Sequence, residues 1–301
     1  YMGVYEIRDR DEAVSIMVDK ANIAADTIKN NYDCCVAYYD EHLLEISIEQ
    51  RRLLGEFEPA LQKDEFAMYL QPQVNRDGAA KGAEALVRWV HPSRGILTPY
   101  AFIDILENAG LIYKLDLYIW EKAAQKLAEW KEKGYGSYHI SVNISTKDFY
   151  IIDIYETFTG LINKYGIAAS NLHLEITETT LMTDFEKNMN IIHKLQGVGF
   201  RVEIDDFGSG YSSLNMLKDI SADVLKIDMG FLRKSENEVK GQDILESIIA
   251  LAGKIGMDVI TEGVETTKQL DMLTMMGCHE FQGYYFSKPV PVSEFEEKYL
   301  V

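Results

Sequence analysis

Basic residues, cysteines and long apolar runs are all scarce in this 301-residue chain. Thirty Lys and Arg stand against 48 Asp and Glu, a formal net charge of -18. Proteins that grip duplex nucleic acid neutralise its phosphates with basic clusters, so this charge balance excludes duplex binding. A phosphate-bearing substrate would need local help, most simply from divalent metal ions. The 3 cysteines, adjacent Cys34 and Cys35 and the distant Cys278, have the spacing of neither a zinc site nor a disulfide framework, which fits a reducing cytosol. No apolar run approaches the roughly 20 residues that span a bilayer, and the N-terminus lacks the charged-then-apolar order of a signal peptide. The expectation is a soluble, cytoplasmic fragment that makes no membrane contact, although a longer parent could be membrane-anchored. Walker loop, Rossmann fingerprint, H-E-x-x-H and Ser nucleophile elbow are all missing too.

What is present is a regular alternation. From about residue 66 onward, short apolar runs alternate with amphipathic helical stretches, the pattern of parallel βα units. The candidate strands are AMYLQPQV, KGAEALVRWV, HISVNIS, LHLEIT, RVEIDDF, DVLKID, MDVIT and EFQGYYF. Eight strands interleaved with helices predict a TIM-type (β/α)8 barrel, whereas an open doubly wound sheet would more often carry an early Gly-rich loop. Helix signals include Thr98-Pro99 as a start, Thr183 with Glu186 as a capping box, and Gly197, Gly256 and Gly277 as stops. Ile244, Leu245, Ile248, Ile249, Ala252 and Ile255 form an expected core-facing stripe. Residues 1–50 hold a strand-like VYEI, a helical stretch and a strand-like CCVAYYD, too little for an independent core. They predict the tail of a neighbouring domain, joined through a helix around ISIEQRRLLGEFEPALQK to the domain at 51–301.

The chemistry lies in where polar residues fall. Glu84, Asn143, Glu175, Asp205, Asp206, Lys226, Glu262 and Gln282 each sit inside or directly after an apolar strand run. A barrel opens these strand ends onto one face. Two carboxylates about 4 Å apart repel by roughly 4 kcal/mol at an effective dielectric of 20, so five converging ones need positive charge. Carboxylate and amide oxygens are hard ligands that suit Mg²⁺ or Mn²⁺. The 6 histidines, among them His91, His139, His173 and His193, are scattered and do not enter this ligand set. Lys226, flanked by Val224, Leu225 and Ile227, reads as a buried, paired lysine rather than a surface one. With two metals, in-line attack on phosphorus becomes feasible, so the residues by themselves predict a metal-dependent phosphodiesterase. The following segment, DDFGSGYSSLNML, predicts a tight ordered loop through Gly208 and Gly210.

These motifs resemble the EAL domain, the family that hydrolyses the bacterial messenger c-di-GMP (cyclic di-GMP) to linear pGpG. YLQPQV, EALVRWVHP, SVNIS, LEITE, DDFGSGYSSL, LKID, EGVET and QGYYFSKP occur in family order from about residue 51 to the C-terminus. The resemblance implies two divalent cations, Mg²⁺ or Mn²⁺, on Glu84, Asn143, Glu175, Asp205, Asp206 and Glu262. It implies Lys226 as the catalytic lysine that orients and activates the attacking water, with Glu262 also a candidate base. Gln71, Arg88, Asp228, Glu265 and Gln282 match positions that contact nucleotide or support the metals, Arg88 reaching a phosphate. Glu178 matches the glutamate that holds the loop containing Gly208 and Gly210, a loop associated with dimerisation, so a homodimer is implied. The family's first strand runs antiparallel. Residues 1–50 resemble the end of a GGDEF-type (diguanylate cyclase) domain whose signature loop is missing.

Departures from the pattern are modest. Ser209 stands where Thr is commoner, Thr261 where Ala is usual, Met229-Gly230 where a more polar pair is usual, and Glu203 at a usually small position. Alternation from Asp205 puts Glu203 one layer deeper in the barrel, where pairing with a neighbour is the favoured reading. A c-di-GMP receptor or scaffold without turnover is the alternative, but degenerate members typically lose ligands or the lysine, and all are present here. An enolase-like proton abstractor would not explain EALVRW or QGYYF.

Overall fold

The computed structural model describes residues 1–29, 35–207, 220–230 and 238–300. They fall into two compact units, Tyr1–Asp64 with Tyr100–Ala109, and Glu65–Pro99 with Gly110–Val301. In the first, β1 (Met2–Val4) and β2 (Val36–Tyr38) pair in parallel, and α1 (Val14–Asp26) packs on both. Helix α2 (Glu41–Gln62) starts where the Asp40 side chain accepts a hydrogen bond from Leu43 N at 3.0 Å. Its Leu53, Phe57 and Ala60 recur at helical spacing and are buried, and α3 (Ile103–Ala109) packs against it.

The second unit is the barrel. Its first hairpin joins β3 (Phe66–Val74) to β4 (Ala80–His91), and β5 (Gly95–Leu97) folds back on β4. The turn between them forms because the Asn75 side chain accepts from Asp77 N and Ala79 N, with Gly78 at φ 82°. Then follow β6 (His139–Ile144), β7 (Leu172–Thr177), β8 (Val202–Asp205), β9 (Val224–Asp228), β10 (Asp258–Glu262) and β11 (Glu280–Phe281). From β4 through β6 to β11, successive neighbours pair in parallel. The ring closes because β3 pairs antiparallel with both β4 and β11. All eight expected strands are present, and the first is the antiparallel one. A short β12 (Val290–Pro291) lies on the outer edge of β3.

The remaining helices are α4 (Ile112–Glu132), α5 (Asp148–Ile151), α6 (Ile154–Tyr165), α7 (Glu178–Thr183), α8 (Phe185–Val198), α9 (Glu238–Lys254), α10 (Thr267–Met275) and α11 (Val292–Tyr299). Strand β7 shows why both faces of the sheet are buried. Leu172, Leu174 and Ile176 alternate with His173 and Glu175, and all five are buried. The larger side chains of the core include Trp89, Trp120, Trp130, Phe158 and Phe281, each at most 1% exposed. No helix among the described residues is long and apolar enough to cross a membrane.

Three helix details differ from expectation. Thr183 does not cap α8; its hydroxyl donates back to the carbonyls of Thr179 and Thr180 at the end of α7. The capping box forms instead at Thr266 and Gln269, at the start of α10. Gly197 lies inside α8, whose stop is the left-handed Gly199 (φ 107°); Gly256 and Gly277 do follow helix ends, at φ 84° and 94°. On α9, Leu245, Ile248, Ile249 and Ala252 are buried, but Ile244 is 41% exposed, and Ile255, one residue past the helix end, is 45% exposed. At about 100° per residue Ile244 sits roughly 100° from Leu245, off the buried stripe.

Candidate active site

Interior-facing side chains stack in layers, and the layer at the C-terminal ends of the parallel strands carries the expected polar set. Lys226 of β9 is fully buried, and its ammonium meets carboxylates from four other strands. Nζ lies 2.7 Å from Glu262 Oε1, 2.9 Å from Glu175 Oε2, 3.4 Å from Glu84 Oε2 and 3.6 Å from Asp205 Oδ1. The strand registers produce this ring: Gln71 opposes Glu84, Asn143 opposes Glu175, and Glu262 opposes Asp228. Asn143 Nδ2 donates to Glu84 Oε1 at 3.1 Å, while Gln282 Nε2 donates to Glu84 Oε2 and, at 3.3 Å, to Gln71 Oε1. Outside the barrel, Trp120 Nε1 of α4 donates to the Asn143 carbonyl at 2.9 Å and fixes the end of β6.

Asp206 follows Asp205 with a left-handed backbone, φ 56°, and its N–H donates to Asp205 Oδ1 at 2.8 Å. A non-glycine residue there is uncommon and costs on the order of 1 kcal/mol. The turn splays two consecutive carboxylates at one strand end. Asp228 ends β9, where its carboxylate accepts from Gly230 N, and its charge reaches Asp206.

Charge balance explains the electrostatics. Burial, then the Glu84 charge, raises Glu175 well above the ordinary carboxylate range, and burial with Asp205 and Glu84 does the same to Glu262. Asp205 and Asp206 are raised as well, mainly by burial. Burial pulls Lys226 down, but Asp205, Glu175, Glu262 and Glu84 together outweigh it and hold the ammonium charged. When all are ionised, the five carboxylates outnumber the one ammonium by four charges, the number two dications cancel. The two Glu175 oxygens and Glu262 Oε1 are buried without an aligned hydrogen bond, as is Lys226 Nζ despite its ion-pair contacts. Buried carboxylate oxygens without an aligned hydrogen bond, two of them held by the ion-pair contact to Lys226, are hard donors of the kind Mg²⁺ or Mn²⁺ takes.

The other expected site residues take up positions around this core. Arg88 shares a face of β4 with Glu84, half-buried over the Tyr69 ring at 5.6 Å, and feels the Glu84 charge. Glu178 opens α7 directly after β7, and Glu265 is exposed three residues past Glu262, its N–H bonded to Gln269 Oε1 at 2.9 Å. Gly208, Ser209 and Gly210 lie outside the described residues.

A second polar layer lies beneath the first, and of its members only Glu203 is expected from the sequence. Glu203 is fully buried; its Oε1 lies 2.6 Å from His173 Nδ1 and accepts from Ser141 Oγ at 3.2 Å. The His173 bond holds the carboxylate down at about 2 against the upward pull of burial. Glu203 therefore does pair with a neighbour. His139 donates from Nε2 to Gln73 Oε1 at 2.7 Å, and burial together with His173 pushes its pKa down to about 3. The available signal was strand alternation, which sets Ser141 two residues before Asn143 and His173 two before Glu175.

The barrel and this pocket define a class of protein: a (β/α)8 barrel whose C-terminal strand ends hold a lysine-centred ring of carboxylates suited to hard cations. Residues 55–289 match the family model of the EAL domain, and the chain belongs to that family. It is 32% identical over 272 residues to the bifunctional diguanylate cyclase/cyclic di-GMP phosphodiesterase MucR of Pseudomonas aeruginosa, covering 90% of this chain and 39% of that protein. It is 33% identical over 240 residues to the cyclic di-GMP phosphodiesterase PdeR of Escherichia coli, covering 80% and 36%. The solved structure of the P. aeruginosa MucR phosphodiesterase in complex with c-di-GMP superposes with a TM-score of 0.77 at 33% identity, covering 81% of this chain and 99% of that one. The chain thus spans well under half the length of these curated relatives.

Proposed function

We propose that this chain is a metal-dependent phosphodiesterase that hydrolyses c-di-GMP to linear pGpG. The observation that carries the reading is the Lys226 ammonium within 3.6 Å of carboxylates from four different strands, several of whose oxygens have no aligned hydrogen bond. Glu84, Asn143, Glu175, Asp205, Asp206 and Glu262 would hold two divalent cations, Mg²⁺ or Mn²⁺. When bound, such ions acidify water and offset charge on the phosphoryl oxygens. Lys226 orients the attacking water and adds fixed positive charge beside it. Glu262 takes up the water's proton, the water oxygen bonds to phosphorus, and the bond from phosphorus to the 3′-oxygen breaks, that oxygen taking a proton from solvent as it leaves. Gln71, Asp228, Glu265 and Gln282 position the nucleotide and the ligands, and Arg88 binds a phosphate. MucR and PdeR, whose names carry this activity, support the substrate assignment.

In this reading residues 1–50 are the end of a GGDEF-type domain, and the protein works in the cytoplasm as a homodimer whose contact involves Glu178 and the loop with Gly208 and Gly210. The test is incubation with c-di-GMP and Mg²⁺ or Mn²⁺, followed by chromatography for pGpG. Wild type should form pGpG, and Lys226→Ala and Glu84→Ala should each lose at least about a hundredfold in rate. Tight, metal-independent binding without product would favour a receptor instead.

A further inference from the structure

Directly below the carboxylate ring, at the N-terminal mouth of the barrel, a second cluster has a different donor chemistry. His139 is the first residue of β6, His173 the second of β7 and Glu203 the second of β8. The two imidazoles stack with centroids 3.9 Å apart and planes 4° from parallel. One nitrogen of each ring and one Glu203 oxygen all lie within 4.8 Å of one another, and all three residues are buried. The backbone makes room for this arrangement. Gly82 opposes His139 in the β4–β6 register, and a Cβ there would sit 2.4 Å from three imidazole atoms.

Pairing within the cluster is incomplete. Glu203 Oε1 faces His173 Nδ1, but Glu203 Oε2 is buried without any hydrogen bond. Gln73 Nε2 is also buried without a hydrogen bond, although Gln73 Oε1 orients His139. A carboxylate lone pair left unpaired in a buried site is costly and calls for a positive group. The nearby basic side chains are already committed, Lys226, whose charge reaches Glu203, to the carboxylate ring, Arg201 to Asp258 and Lys81 to Glu280. A cavity of ≈ 580 Å³ reaches His139, His173 and Glu203 past Lys81 and Arg201, so an ion has a path in.

We propose that His139, His173 and Glu203 form a second metal site, selective for a borderline transition-metal dication such as Zn²⁺, which pins β6, β7 and β8 together at the N-terminal mouth. Two imidazoles and one carboxylate are a zinc donor set, with water from the cavity as a fourth ligand; because the rings stack in parallel, one imidazole must turn about its Cβ–Cγ bond to bring its in-plane lone pair to the shared ion. The carboxylate ring above, all oxygen donors, suits Mg²⁺ or Mn²⁺ instead. Binding displaces the proton between His173 Nδ1 and Glu203 Oε1, which leaves to solvent. Gln73 serves as the outer partner that fixes the His139 ring. The N-terminal end of such a barrel is where side chains act on stability rather than on catalysis.

The test uses the whole chain with excess Mg²⁺ present and Zn²⁺ as the probe. Zinc-edge X-ray absorption and anomalous diffraction on the wild type should show one Zn²⁺ between His139, His173 and Glu203, with nitrogen neighbours at about 2.0–2.1 Å. Zn²⁺ should raise the melting temperature of the wild type, and His173→Gln and His139→Gln should each weaken Zn²⁺ binding by roughly tenfold or more, since even an outer partner is worth about that much. An all-oxygen zinc shell, zinc found only in the carboxylate ring, no bound zinc, or wild-type affinity in both variants would each overturn the proposal. If neither variant folds, the spectrum and density of the wild type decide it alone.

Discussion

Lys226 is the residue on which the site's electrostatics turn, because it is the fully buried ammonium that the ring's carboxylates share. Removing one member of a buried ion pair commonly costs about 3–5 kcal/mol, because the partner's charge is left uncompensated. Lys226→Met should therefore lower metal-free stability by about 3 kcal/mol in urea unfolding. Mn²⁺ should recover part of that stability while turnover stays lost, which separates folding from catalysis. His139 yields a pH prediction. Its imidazole protonates at about 6.5 in the unfolded chain but only at about 3 in the folded one. Between these values acid favours the unfolded state, by up to about 1.4 kcal/mol per pH unit. The ring carboxylates raised by burial respond to acid in the opposite sense in both proteins, so the readout is the difference: as pH falls from 6.5 towards 3, urea titrations at successive pH values should show metal-free wild type losing stability relative to His139→Gln. Below about 4.5 Glu203 contributes in the same direction as His139, because its carboxylate, held down at about 2 in the folded chain, takes up its proton first in the unfolded one.

At the scale of elements, the strands were the most legible parts of the chain and helix ends the least. All eight strand runs were readable because a barrel buries both faces of its sheet, leaving apolar runs interrupted only by interior polar residues. The expected cap at Thr183 failed because α7 ends there, a short helix whose last carbonyls the Thr183 hydroxyl satisfies. Gly197 reads as a stop in the sequence because a glycine inside a helix and one just beyond it look alike there; only the left-handed φ of Gly199 distinguishes them. Register gives a sharper prediction. Gly82→Ala would drive a Cβ against the His139 ring, so that ring or the strands carrying it must shift, and overpacking of this kind typically costs about 1–3 kcal/mol. Thermal unfolding should report that loss, whereas Gly55→Ala, on a helix face with nothing within 4 Å of the new Cβ, should lose no stability. A milder change, Thr266→Ala, removes the capping box of α10 and should cost about 1 kcal/mol by the same assay.

For the whole molecule, a net charge of -18 and a buried carboxylate ring mean that the folded state carries repulsion that cations relieve. Ions that bind the folded chain but not the unfolded one stabilise it by about 2.7 kcal/mol at a hundred times their dissociation constant. Mg²⁺ or Mn²⁺ should therefore raise the melting temperature, a chelator should reverse the gain, and matched ionic strength from a monovalent salt should not reproduce it. Scanning calorimetry of wild type beside Glu84→Ala checks this, the variant being expected to keep less than half of the metal-induced shift.

The linear sequence by itself determined the class of barrel, its strand count and the acidic ring around Lys226. Apolar runs, strand-end carboxylates and a lysine among Val224, Leu225 and Ile227 are local patterns, readable without knowing what touches what. Only the tertiary structure decided that Glu175 and Glu262 hold orphaned oxygens, that Asp206 turns through a left-handed backbone, and that His139, His173 and Glu203 meet. These facts depend on how far each parallel strand is shifted along its neighbours. Residues 139, 173 and 203 share one layer only because three strands, separated by helices of unequal length, come into a common register, and that offset is set by packing around the closed ring.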